Sequence, residues 1–96
     1  MSEAADAFFD GGRLCGRVLF ATFAQVRAEG EALIDAAEAE VELDLSGLEY
    51  SNSLAVGAMV AWYRRASAQG KVVRFSNVPA DLRKIIDVSG LEDLLL

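Results

Sequence analysis

The sequence predicts a single α/β domain, a mixed β-sheet of about four strands with helices packed mainly on one face. Three observations carry that prediction. Short segments alternate apolar and polar residues with a period of two, and longer segments between them space their apolar residues at three and four. The chain has 96 residues of which 53% are hydrophobic and one is Pro, which suits one packed core and not a disordered chain.

Residues 1–6 precede the first periodic segment and are the candidate for a disordered start. Ala7 to Phe9 is expected as a short edge strand, turned by Gly11 and Gly12 into a hairpin with the strand that follows. That strand runs from Arg13 to Val18, with Leu14, Gly16 and Val18 on one side and Arg13, Cys15 and Arg17 on the other. Leu19, Phe23, Val26, Gly30 and Leu33 then recur at helical spacing, with Gly30 as a point where the helix is interrupted or ends its first part. Val41, Leu43 and Leu45 alternate with Glu42 and Asp44 in a half-buried strand. Lys71 to Ser76 repeats the alternation. If these strands are neighbours, Arg13, Arg17 and Arg74 lie beside Glu42 and Asp44 on a wet face of the sheet, as solubility and cross-strand pairs.

Between those two strands lies a helix from Ser53 to about Gln69, long enough for a crossover joining parallel strands. At 100° per residue, Ala55, Val56, Met59, Trp62, Tyr63 and Ala66 share the arc expected to pack on the sheet. The opposite arc carries Leu54, Gly57, Ala58 and Ala61, small or apolar where a solvated helix normally shows charge. Either a partner or another element of the same domain covers that strip. Ser51, Asn52 and Ser53 are successive candidates to cap the first turn, and Gly70 follows the far end. A last helix starts at Pro79 with Leu82, Ile85 and Ile86 as its stripe, and Ser89-Gly90 closes it. Leu91 and Leu94 to Leu96 then cap the core or meet a partner.

Charge is distributed unevenly. Ala28 to Tyr50 holds eight acids and no base, whereas Ser51 to Lys84 holds six bases and only Asp81 as an acid. The ordinary consequence is mutual neutralisation across the fold. With a net charge of −6 and no basic stripe interleaved with aromatics, nucleic acid is not an expected partner. The longest nearly apolar run, Leu54 to Tyr63, is about half of what a membrane span needs, and Met1 to Asp10 lacks the pattern of a secretory signal. A cytoplasmic protein without direct membrane insertion is expected. The lone Cys15 agrees with a reducing compartment.

The search for chemistry returns absences. The sequence has no His, which removes Ser-His and Cys-His nucleophile pairs and His-bearing metal sites, and one Cys excludes thiolate clusters. The glycines match neither phosphate-binding fingerprint. No catalytic residue, cofactor or metal is expected. Glu42 and Asp44 read as the wet face of a strand.

Leu43-Asp44-Leu45-Ser46-Gly47-Leu48 followed by Tyr50-Ser51-Asn52-Ser53 resembles the STAS domains, the family of anti-sigma factor antagonists. In that family a strand ending Asp-Leu-Ser-Gly-Leu leads to a hydroxyl-bearing turn that opens the central helix. Arg13 to Val18 resembles the family's early strand, and Val88-Ser89-Gly90-Leu91 its closing motif. The resemblance implies a STAS-like domain that binds a partner and is not an enzyme. Asn52-Ser53-Leu54-Ala55, with Trp62 and Arg64-Arg65, looks most like the MlaB group, cytoplasmic subunits of a phospholipid-transport ABC complex. That likeness implies an MlaF-like ABC ATPase subunit as partner and a location peripheral to the inner membrane through it. The partner-binding residues would be Ser51, Asn52, Ser53, Leu54, Gly57, Ala58 and Ala61. The family's hydroxyl falls on Ser53, which in the antagonists is the phosphoacceptor of an anti-sigma kinase, the alternative partner. Here Asn52 and Ala55 stand where the family's turn has Asp and Gly, a departure that disfavours the phospho-switch. A generic dimerisation module is the remaining reading.

Overall fold

The computed structural model describes residues 6–96. The expected disordered start therefore lies outside the described residues except at Asp6, which forms an isolated parallel bridge with Arg17. The elements are β1 (Phe8–Asp10), β2 (Arg13–Arg17), a 3-10 turn (Phe20–Thr22), α1 (Phe23–Ala36), β3 (Glu40–Tyr50), α2 (Ser53–Ala68), β4 (Val72–Ser76), α3 (Ala80–Val88) and α4 (Glu92–Leu95). The sheet order is β1-β2-β3-β4; β1 is antiparallel to β2 and the other pairs are parallel, so α1 and α2 are the crossovers. This is the mixed four-strand α/β architecture that the alternation of periods predicts.

β3 runs on to Tyr50, well beyond the alternating stretch, because its two halves have different neighbours. Glu40 to Asp44 pairs with β4, while Asp44 to Tyr50 pairs with β2. The β2–β3 register shifts between Gly16 and Arg17, where Gly16 takes φ 81°, a conformation that costs little without a Cβ. Leu14, Leu43 and Leu45 are buried beneath the helices, whereas Arg13, Glu42 and Ser46 are exposed on the other side. The helices thus cover one face.

The wet face forms fewer of the expected charge pairs than its pattern implied. Arg74 lies opposite Glu42 in the ladder, but its guanidinium reaches Glu40 at 2.8 Å, while Ser76 donates to Glu42. Arg13 lies opposite Asp44 and donates through Nε to Ser46 at 3.1 Å. Arg17 is opposite Tyr50, six residues along β3 from Asp44 and eight from Glu42. Asp44 is held below its ordinary pKa chiefly by the Ser46 backbone amide, with the Asn77 side-chain amide adding to it.

Trp62 of α2 organises the core. It is fully buried, meets Phe9 edge-on at 5.5 Å between ring centroids, and lies 6.4 Å from Phe75. Its indole N–H donates to the Arg27 carbonyl of α1 at 2.9 Å, which satisfies the one polar atom it buries. Gly30 neither ends nor interrupts α1, contrary to its expected role as a breaker. It sits inside the helix because a Cβ there would lie 2.3 Å from the Trp62 ring. The apolar stripe of α1 accordingly settles on Val26, Gly30 and Ile34, with Leu33 half-buried. Pro79 stands one position before α3 as its N-cap.

The acidic and basic segments do meet. Arg65 grips Asp35 with two hydrogen bonds, of 2.9 and 2.6 Å, Gln69 donates to the same carboxylate, and Lys71 donates to the last carbonyls of α1. The Arg65 hydrogen bond is the main reason the Asp35 carboxyl is held far below the ordinary carboxylate range.

Candidate functional site

The start of α2 is assembled by the carboxyl ends of β2 and β3. Of the three capping candidates, the fold uses Asn52. Its Oδ1 accepts from the Ala55 amide at 2.9 Å, and its Nδ2 donates to the Val18 carbonyl at 2.9 Å. One side-chain amide therefore caps the helix and ties it to the end of β2. Asp in the same place would keep the acceptor and lose the donor.

Ser53, the first helical residue, is exposed, and its hydroxyl makes no hydrogen bond to any described residue. The reading of Ser53 as merely a helix cap is thus replaced: Asn52 does that work, and the hydroxyl is left over. Ser51 is half-buried.

The small-residue strip is partly covered from within. Ala58 is fully buried and offers no surface to another chain. It lies four residues before Trp62, only 40° away around the helix, and with α1 packed alongside α2 the buried arc is wide enough to include it. Gly57 remains exposed, while Leu54, Val60 and Ala61 are half-buried. A Cβ on Gly57 would sit 3.6 Å from the Phe23 ring, so α1 flanks the strip without closing it. The result is a groove of about 400 Å³ between α1 and α2, floored by Phe23, Gly57, Val60 and Ala61 and rimmed by Arg27 and Arg64. Tyr63, expected on the sheet, is half-buried.

Two exposed aromatic residues, Tyr50 of the hydroxyl turn and Phe20, which the sequence pattern does not mark, stand at the same end of the sheet. Phe20 is 88% exposed and Tyr50 is 55% exposed. Phe20 falls beside the apolar stripe of α1 and not on it, and an aromatic residue off the stripe is the signal that would have marked it.

Among the described residues no group of three or more Cys, Asp or Glu side chains is placed to hold a metal ion, and no described helix is long and apolar enough to cross a membrane. Cys15 is free and half-buried in β2. What the fold defines is a small α/β domain with a four-stranded mixed sheet. The chain belongs to the STAS family: the family model described as "Mlab, STAS domain" matches residues 13–96, nearly all of its length. Domains of this family are in general non-catalytic binding modules, and their role is accessory or regulatory. No curated protein matches the chain.

Proposed function

We propose that this protein is a non-catalytic accessory subunit that binds and supports the ATPase subunit of an ABC-type phospholipid transport complex, docking through the start of α2. The observation that carries the reading is the Ser53 hydroxyl, exposed and unbonded at the head of a helix whose cap is supplied by its neighbour Asn52. Leu54, Gly57 and Ala61 continue from it as an uncharged path, along which a partner element can approach closely. The MlaB-type description of the matching family favours the transporter partner. The domain would then sit in the cytoplasm, at the inner membrane through its partner and with no insertion of its own. Ala58 drops out of the contact set, while Ser51 and Asn52 contribute by shaping the turn.

The deciding experiment is co-purification with the ATPase subunit. Ser53→Ala should leave the fold untouched, and Ser53→Glu, which places a carboxylate where the helix dipole tolerates it, should also fold but lose the ATPase. A folded Ser53→Glu variant that still co-purifies at the wild-type level overturns the reading.

The same free hydroxyl favours a second reading, an anti-sigma factor antagonist phosphorylated at Ser53 by a partner kinase. A phosphate there would add close to two negative charges at the positive end of α2. Intact-mass measurement on protein from its native host separates the two: a stoichiometric phosphate on Ser53 selects the switch.

A further inference from the structure

One hydrogen bond brackets three exposed features at the carboxyl ends of β2 and β3. It runs from Asn52 Nδ2 to the Val18 carbonyl, 2.9 Å. Phe20 is two residues after Val18, Tyr50 is two residues before Asn52, and Ser53 is the residue after it. The segment carrying Phe20 is itself closed by Thr22, whose backbone amide donates to the Leu19 carbonyl at 3.0 Å. The Thr22 hydroxyl lies 3.2 Å from both the Leu19 amide, from which it accepts, and the Leu19 carbonyl, to which it donates. These bonds close the turn on itself, and it carries an almost fully exposed phenyl ring. Besides the packing of α1 on α2, the Asn52 amide ties the residue just before this turn to the head of α2. The amide's other half, accepting from Ala55, would serve the helix equally well as Asp or Ser; only Asn adds the donor that reaches β2.

We propose that Asn52 is the positioning residue of the docking surface: by donating to the Val18 carbonyl it fixes the Phe20 turn relative to Ser53, so that ring and hydroxyl meet the ATPase subunit as one preformed surface. This rests on the docking reading above and adds Phe20 as a contact. Preorganisation is the physical gain, since a surface already in its bound geometry loses less conformational freedom on association.

The test is a double-mutant cycle on the intact chain, read as affinity for the purified ATPase subunit of the transport complex, with thermal midpoints measured alongside. Phe20→Ala, which empties no core, is expected to weaken binding roughly tenfold, the scale of an interface aromatic anchor. Asn52→Ser keeps the cap acceptor, and its hydroxyl, attached directly to Cβ, is too short to reach the Val18 carbonyl; it is expected to weaken binding severalfold in the wild-type background and to add nothing once Phe20 is Ala. A merely structural role for Asn52 would lower affinity equally in both backgrounds, and that result overturns the proposal. So does wild-type affinity in either single variant. If Asn52→Ser does not fold, Asn52→Asp, which also retains the acceptor, is read in the same way. A wild-type chain that does not bind the ATPase at all sinks the docking reading and this inference together, whereas wild-type binding that ignores Phe20 and Asn52 sinks only the inference.

Discussion

The two ends of α2 are built on opposite plans. Toward its carboxyl end, Arg65 and Gln69 are committed to Asp35, and Lys71 just beyond to the end of α1. At its amino end the cap is supplied by one amide, the Ser53 hydroxyl is spare, and the residues that follow are small and partly bare. A helix clamped to its own fold through Arg65 at one end, with a hydroxyl uncommitted at the other, has a locked half and an available half. The locked half is where stability should respond to mutation, and the available half is where binding should.

The largest effect is expected where both halves are anchored. Trp62→Ala empties the fully buried centre of α2 and removes the indole's hydrogen bond to the Arg27 carbonyl, and should cost about 3–5 kcal/mol in denaturant unfolding. A loss under about 1 kcal/mol would mean that the core is organised elsewhere. Gly30→Ala comes next and decides between two effects of opposite sign. Helix propensity favours Ala by up to about 1 kcal/mol, but the added Cβ would lie 2.3 Å from the indole, and overpacking of that kind costs about 1–3 kcal/mol. Net destabilisation is expected; a more stable variant would show that Trp62 can retreat.

At the available end the contrast sharpens to neighbouring residues. Asn52→Ala should lose about 1 kcal/mol with its cap, and Ser53→Ala about nothing, both read by thermal unfolding. Equal losses would return Ser53 to a capping role.

The smallest effect concerns acid. Because the folded pKa of Asp35 is depressed, its contribution to stability is present above the ordinary carboxylate value of 3.8 and is lost as pH falls through the folded value. Asp35→Asn should therefore lower the melting temperature at neutral pH, with the difference from wild type shrinking as the pH drops below about 4. Glu92, held above its ordinary value by its hydrogen bond with Asp87, responds in the opposite sense, so the comparison of variant with wild type and not the raw acid profile is the measurement. A difference independent of pH would show that the Asp35–Arg65 clamp does not depend on charge.

The period-two and period-3.6 patterns of the sequence already contain β2, β3, α1, α2 and α3, because apolar spacing records which face of each element leaves water. The Ser51 to Ser53 turn was legible too, from hydroxyl and amide side chains placed just before an apolar run. What spacing alone could not distribute was the work within that turn. Three candidate caps look alike in one dimension, and only the approach of the Val18 carbonyl makes Asn52 the residue that satisfies both neighbours. Ala58 likewise reads as surface until α1 lies beside α2 and widens the buried arc. Gly30 reads as a breaker until Trp62 is laid across it.

The sequence by itself thus determined the order of strands and helices, the absence of His and the hydroxyl turn at the head of the central helix, since each follows from residue type and local spacing. Only the tertiary structure decided which turn residue caps, which small residues stay bare and that Phe20 stands in water, because each depends on a neighbour more than 25 residues away in the chain or on the lack of one.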